Sequence, residues 1–266
     1  PLWSYDAGTY VRPVAISADG EYLVAGSYDG NVYLFDKDSS TPLWSYETGD
    51  WVVTVAISAD GEYIVAGSRG DNNVYLFDKD SGTPLWSYAT GEDVLSVAIS
   101  ADGEYIVGSG NDTVYLFDKD SSTPLWSYTI GSGVQSVAIS ADGEYIAAGT
   151  GYDDYKVYLF DKDGSTPLWS YGTGGYVRSV AISADGEYIA AGSYDWVYLF
   201  NNNIRPTATI DSITPSPARF DAEVTFSGSG SDSDGTVVAY EWNSDIDGFL
   251  SDEEDFSITG FTVGNR

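Results

Sequence analysis

The pentapeptide Pro-Leu-Trp-Ser-Tyr fills residues 1–5 and returns at residues 42–46, 84–88, 124–128 and 167–171. The stretches between the copies are nearly the same each time. A chain that repeats itself about every 40 residues stacks one supersecondary unit on the next, because so short a unit cannot bury its apolar face alone. Each unit holds four β-type runs, seen clearly at residues 55–88: Val-Ala-Ile-Ser, then Glu-Tyr-Ile-Val-Ala-Gly-Ser, then Val-Tyr-Leu-Phe-Asp-Lys-Asp, then Pro-Leu-Trp-Ser-Tyr. β-Branched and aromatic residues dominate these runs, Asp-Gly and Asp-Lys-Asp turns separate them, and no 3.6-residue period occurs. Four short antiparallel strands per unit make a propeller blade.

The count of strands makes a further point. The fourth run occurs five times, starting at Pro1, and the first three runs occur five times, ending at Phe200. The last unit therefore has no fourth run of its own after Phe200. The expected fold is all-β: a five-bladed propeller of four-stranded blades over residues 1–200. Residues 1–5 are expected to complete the last blade and close the ring, which would hide both sheet edges. Trp3, Trp44, Trp86, Trp126 and Trp169 stand at one position of the fourth run and are expected to pack between neighbouring blades.

The run Ser-Val-Ala-Ile-Ser-Ala-Asp-Gly-Glu-Tyr-Ile resembles the first half of a tryptophan–aspartate (WD) repeat, although the Gly-His pair and the Trp-Asp dipeptide of that family are missing. Val-Tyr-Leu-Phe-Asp-Lys-Asp-Ser-Ser-Thr-Pro-Leu-Trp-Ser-Tyr is similar to the tryptophan-docking repeat of quinoprotein-type propellers. The whole unit resembles repeats common in archaeal surface proteins. These resemblances imply the fold; they imply little about function, since propellers host many activities.

Residues 201–205 read as a linker and residues 206–266 as a second domain, a β-sandwich. It resembles the polycystic-kidney-disease (PKD) type of immunoglobulin-like domain in Pro206-Thr207-Ala208, in the Gly-Ser-Asp-Ser-Asp-Gly turn at residues 230–235 and in Tyr240-Glu241-Trp242. It lacks the Trp-Asp-Phe-Gly-Asp-Gly motif of that family and is shorter than such domains usually run. The final strands are expected to lie beyond Arg266, the alternative being that another chain donates a strand, which repeated head to tail would build a filament.

Comparing the five copies with one another separates scaffold from candidate site. The Ser-Ala-Asp-Gly-Glu turn is the same in every copy, and the Asp-Lys-Asp turn nearly so. Variation gathers in the connection between units and in the turn between the second and third runs, two loop types that emerge on the same face of a propeller. The candidate ligand- or partner-binding residues are therefore Tyr10, Arg12, Trp51, Glu92, Asp93, Tyr176 and Arg178 from the connections. From the turns come Tyr28, Arg69, Asp71, Tyr152, Tyr155 and Tyr194. Aromatic rings beside carboxylates suit sugar recognition and equally a protein interface.

Composition narrows the chemistry. Among 266 residues there is no cysteine and no histidine, which removes thiolate and imidazole catalysis and the usual zinc, copper and haem ligands. No nucleophile-elbow or phosphate-loop motif occurs, so no catalytic residue is expected. The net charge of −30 repels phosphate backbones, so nucleic acid is not an expected partner. No apolar run is long enough to span a membrane. No cofactor is expected beyond calcium, for which Asp232, Asp234, Asp245 and Asp247 are weak candidates. The Asp-Lys-Asp turns lack the spacing of a calcium loop. Asn111-Asp112-Thr113 matches the N-glycosylation pattern, and Arg69-Gly70-Asp71 is a lone integrin-type triplet. The expectation is a non-catalytic extracellular or cell-surface structural or adhesion protein, partnered by copies of itself, surface proteins or glycans. The alternative is a multivalent lectin-like module.

Overall fold

The computed structural model describes residues 1–202, 207–214, 223–231, 242–244, 248–251, 253 and 255–258. Among these residues there is no helix, hence none long and apolar enough to cross a membrane. The chain divides into two compact units at Asn202 and Asn203.

The first unit is a succession of five antiparallel sheets, each with its strands in chain order. Sheet 1 holds β1 (Val11–Ile16), β2 (Tyr22–Ser27), β3 (Asn31–Asp36) and β4 (Trp44–Glu47). Sheet 2 holds β5 (Val52–Ile57), β6 (Tyr63–Ser68), β7 (Asn73–Asp78) and β8 (Pro84–Ala89). Sheet 3 holds β9 (Val97–Ile99), β10 (Tyr105–Ser109), β11 (Thr113–Asp118) and β12 (Trp126–Thr129). Sheet 4 holds β13 (Val134–Ile139), β14 (Tyr145–Thr150), β15 (Lys156–Asp161) and β16 (Trp169–Gly172). Sheet 5 holds β17 (Val177–Ile182), β18 (Tyr188–Ser193) and β19 (Trp196–Asn201). This is the repeat architecture of a β-propeller.

The constant turns explain why each sheet forms. In the first turn of sheet 2 the Ser58 hydroxyl donates to Asp60 at 2.6 Å, and Asp60 accepts the Glu62 amide at 3.0 Å. Gly61 takes the left-handed conformation, φ 76°, that closes such a turn without strain. In the Asp-Lys-Asp turns the first aspartate accepts the amide two residues on, as Asp78 does from Asp80 at 2.7 Å. These are Asx turns that bond to their own backbone.

Burial follows the strand order. In sheets 1 to 4 the second and third strands are buried on both faces, with Ile64, Val65, Val74, Leu76 and Phe77 fully buried in sheet 2. The junctions of sheets 1 and 2, 2 and 3, and 3 and 4 are each one apolar cluster. Val24, Val32 and Leu34 of sheet 1 meet Val52, Ile64, Ala66, Tyr75 and Phe77 of sheet 2, with Trp44 and Tyr46 packed at the margin. The repeated tryptophans lie at these junctions. Trp44 sits 5.3 Å from Phe77 of the following sheet, and its indole N–H donates to the Lys79 carbonyl at 2.8 Å. Trp86 and Trp126 do the same with Phe117 and Lys119 and with Phe160 and Lys162. Trp169 packs against Phe200 at 5.2 Å. A second series of bonds joins the constant turns, from the Ala18 amide to the Ala59 carbonyl, Ala59 to Ala101, Ala101 to Ala141 and Ala141 to Ala184.

Ring closure by the first pentapeptide does not occur. Sheet 5 has three strands, and residues 1–5 form no strand beside β19. They lie instead on sheet 1, where Trp3 packs on Phe35 at 5.3 Å and donates to the Lys37 carbonyl at 2.7 Å. A fourth strand has two attachments, pairing to its own sheet and docking on the next, and the second does not require the first: residues 1–5 make the docking contact, Trp3 on Phe35 and the Lys37 carbonyl, without the pairing. Both end faces are consequently uncovered: Val197 and Leu199 are 86% and 71% exposed, whereas Val157 and Leu159, their counterparts in sheet 4, are fully buried.

In the second unit β20 (Thr207–Thr214), β21 (Val224–Ser231) and β24 (Asp255–Ile258) form one antiparallel sheet. β22 (Trp242–Ser244) and β23 (Gly248–Ser251) form a hairpin. The candidate calcium ligands Asp232, Asp234, Asp245 and Asp247 lie outside the described residues, as do Tyr240 and Glu241.

Candidate functional site

The variable loops are held by backbone bonds that every copy can make whatever its side chains. The Tyr28 amide bonds the Tyr10 carbonyl, Arg69 bonds Trp51 and Gly151 bonds Gly133, so each connection is tied to the turn of the sheet that follows it. First strands of sheets 1, 2, 4 and 5 also carry a bulge near their starts, beside these loops. Bulges re-aim side chains at such positions.

The loops assemble two aromatic clusters. In the first, Tyr28 stacks on Trp51 with ring centres 4.7 Å apart and planes within 3°. Tyr10 meets Tyr28 edge-on at 6.0 Å, and the Arg12 guanidinium donates to the Tyr28 hydroxyl at 3.3 Å. In the second, Tyr176 is the hub. Tyr152 meets it edge-on at 4.5 Å, Tyr155 lies at 5.7 Å, Tyr194 at 6.1 Å, and Arg178 sits 5.6 Å over its ring. Loss of solvent, with a hydrogen bond to Tyr152, pushes the Tyr176 phenol well above the ordinary tyrosine range. A cavity of about 370 Å³ opens beside this cluster, lined by Tyr155, Thr173, Gly174, Gly175, Tyr176, Ser193, Tyr194, Asp195 and Trp196. That volume lies within the range of small-ligand pockets. Two of its lining residues, Tyr155 (φ 52°) and Tyr194 (φ 43°), hold left-handed backbone conformations that a bulky side chain rarely adopts. Strain of this kind persists only where surrounding structure enforces it.

Other candidates are turned toward the scaffold or toward each other. Arg69 pairs with Asp93 at 2.7 Å. Asp71 accepts the Tyr75 hydroxyl at 2.5 Å, so the integrin-type triplet has its cation paired and its carboxylate bonded inward. Asp29 and Asp154 do likewise for Tyr33 and Tyr158. Burial opposes their ionisation, but the hydroxyl and amide donors around Asp29, and Lys156, Tyr158 and Thr150 around Asp154, outweigh it and keep both carboxyls below their ordinary range. Glu92 is exposed, its carbonyl accepting from the Thr90 hydroxyl. Asn111 presents an exposed side chain while its carbonyl accepts the Val134 amide. No cluster of carboxylates able to hold a metal ion occurs among the described residues.

Sequence reasoning picked out Arg12 and Arg178 but passed over Val53, Leu95 and Gln135, which stand at the same position of the other repeats. The second residue of the first-strand segment varies from copy to copy, as Arg12, Val53, Leu95, Gln135 and Arg178. Four of these, with Arg69, line a hollow of about 120 Å³ that draws on four successive repeats. The signal was present, since this position varies within a run whose first residue is always Val and whose last three are always Val-Ala-Ile. Trp196, on the rim of the larger cavity, was missed for a different reason: it stands where the other repeats have Asn, Asn, Thr and Lys, at the start of a recurring strand.

The fold and loop face can be set beside known proteins. A chain in the crystal structure of the Mitotic Checkpoint Complex superposes with a TM-score of 0.55, covering 75% of this chain and 80% of that one at 20% identity. At that identity the likeness concerns the fold alone. No curated protein matches the sequence. The family described as outer membrane protein assembly factor BamB matches residues 1–100 and 70–203, which together take in every repeat. The chain belongs to that family.

Proposed function

We propose that this chain is a non-catalytic, extracellular or cell-surface structural and adhesion protein that docks a partner on the variable face of its repeat array. The second unit, read as an immunoglobulin-like sandwich of the PKD type, serves as spacer or subunit joint. The observation that carries this reading is the gathering of Tyr28 on Trp51, and of Tyr152, Tyr155 and Tyr194 on Tyr176, from loops that differ between otherwise near-identical repeats. Rigid aromatic side chains beside arginine are what interfaces use as anchors. A family described by assembly of outer membrane proteins fits a propeller that binds other proteins rather than transforms a substrate.

The test is binding of the purified chain to cell-envelope material from its source. Trp51→Ala and Tyr176→Ala should each weaken binding by about 30-fold, the effect of losing an anchor worth about 2 kcal/mol. Unchanged binding in both variants would move the contact off this face.

The cavity beside Tyr176 favours a second reading, a lectin-like module. Its tyrosine rings and the Asp195 carboxylate suit a sugar's apolar face and hydroxyls. Saturable binding of an oligosaccharide, lost in Tyr176→Ala and retained in Trp51→Ala, would distinguish it.

A further inference from the structure

Of the connections between sheets, one alone carries an aromatic ring and has rings in the turns on both sides. Tyr176, between sheets 4 and 5, meets Tyr152 and Tyr155 of the turn before it and Tyr194 of the turn after it. Trp51 has Tyr28 before it but Arg69-Gly70-Asp71 after it, and residues 90–93 and 130–133 carry no ring. The geometry at Tyr176 also differs from that at Trp51. Tyr28 and Trp51 lie flat on one another, planes within 3°. Tyr155 and Tyr194 are inclined 55° and 67° to Tyr176. Inclined rings make walls, and with Trp196 and the Asp195 carboxylate they line the cavity of about 370 Å³. A sugar rests on one flat ring, whereas a box of rings turns several electron-rich surfaces toward what it encloses.

Charge points to the same occupant. A chain of net charge −30 draws cations from solution. The Tyr176 ring already draws one, since Arg178 lies 5.6 Å over it. Arg178 is not part of the cavity lining, which leaves the cavity to a cation from outside. The kind of cation follows from the hydroxyls. Thr173 donates to the Tyr155 and Gly175 carbonyls, and Ser193 donates to Thr173 and to the Gly175 carbonyl. A primary ammonium brings three N–H donors and would find too few acceptors here. A quaternary ammonium brings none and needs none.

We propose that this cavity binds the quaternary ammonium group of a small organic cation of the choline class. Tyr155, Tyr176, Tyr194 and Trp196 form the cage, and Asp195 supplies the counter-charge. The left-handed backbones of Tyr155 and Tyr194 are then the strain a ligand clamp holds. The inference rests on the reading of the loop face as a binding surface and names what its Tyr176 end takes.

Calorimetric titration of the full chain with choline tests this, with 3,3-dimethylbutanol as the uncharged compound of the same shape. Choline should bind saturably, about tenfold more tightly than the neutral compound, and less tightly as sodium chloride is added. Tyr176→Leu, which keeps bulk and removes the ring, should weaken choline about tenfold. Asp195 is exposed, so Asp195→Asn leaves folding intact and should weaken it about threefold. Arg178→Gln removes a like charge and should tighten it about twofold. Leu85→Ala, at a solvent-facing position, should leave it unchanged. Equal binding of choline and the neutral compound would make the cavity an apolar one and overturn the proposal. So would saturable binding of lactose without choline, which returns the cavity to a sugar, or of a trimethyl-lysine peptide without choline, which gives it to a protein partner. No heat from choline up to about 10 mM overturns the proposal alone, provided Tyr176→Ala still weakens binding to envelope material. If that effect is missing too, the loop-face reading falls with it.

Discussion

Tyr63 lies so close over Gly103 that a Cβ there would stand 2.4 Å from the ring's Cδ2. Gly103 also holds a φ of 77°, so two constraints fall on one residue. Gly20 has the same conformation, φ 76°, but open space where the ring would be. Gly103→Ala should therefore cost about 3 kcal/mol, combining left-handed strain with overpacking, and Gly20→Ala about 1 kcal/mol. Chemical denaturation of the two variants measures the difference; equal costs would mean that the tyrosine yields freely.

Trp86 joins sheets 2 and 3 through Phe117 and the Lys119 carbonyl. Trp86→Ala should destabilise by about 3 kcal/mol, near the low end for tryptophan truncation because the ring is only half-buried. Its neighbour Leu85 faces solvent, and Leu85→Ala should stay within about 0.5 kcal/mol of the parent. Thermal melts of the pair separate inter-sheet docking from general apolar content.

Burial, and then the bond to a carboxylate, raise the Tyr33 and Tyr75 phenols well above the ordinary value of 10.0. A raised folded pKa contributes stability that is fully present below the unfolded value and lost as pH rises above it. The melting temperature should hold up to about pH 10 and fall beyond it, as the unfolded chain ionises and the folded one resists. Tyr75→Phe should cost about 1 kcal/mol at neutral pH through its lost hydrogen bonds and show a smaller alkaline decline. Circular dichroism melts at pH 8 and pH 11 decide it.

Carboxylates outnumber basic groups 41 to 11, while every ion pair among the described residues keeps at least one partner exposed, where solvent and salt screen it. Screening should therefore relieve more repulsion than it removes attraction. Raising sodium chloride from about 0.01 M to about 1 M, which shortens the screening length roughly tenfold, should raise the melting temperature. A fall on adding salt would show that the lysine clamps, such as Lys79 between Glu62 and Asp80, outweigh the surplus charge.

Tyr194 combines a φ of 43° with a side chain 69% exposed. Replacing it by glycine removes strain worth about 1 kcal/mol and little packing. Tyr194→Gly should melt higher than the parent and bind its partner more weakly, the exchange expected where a site stores strain. Higher stability with unaltered binding would place Tyr194 outside the contact.

Much of this architecture is legible in the sequence, and what is not has a physical cause. Strand order, turn chemistry and the tryptophan junctions follow from local pattern, because each rests on neighbours within about one repeat. Ring closure does not, because it depends on the rotation accumulated from sheet to sheet, which no residue states. Trp3 reads the same whether it closes a ring or docks at an open end. At the loop face, the repeat period brings Tyr28, Trp51, Tyr152 and Tyr176 to one side. The inward turn of Asp71 was readable in a pattern that was overlooked: Asp29, Asp71 and Asp154 each stand four residues before the tyrosine they bond.

The bonds that run from Ala18 to Ala59, Ala101, Ala141 and Ala184 have a consequence for how such a molecule changes over generations. Each link is made by backbone atoms of identical turns, so any unit can follow any other. A recombination that slips by one copy removes or inserts a whole sheet, and the joint it leaves is one the chain already uses. Array length is then a quantity selection can adjust in single steps, leaving the loop face free to diversify on whatever number of sheets remains.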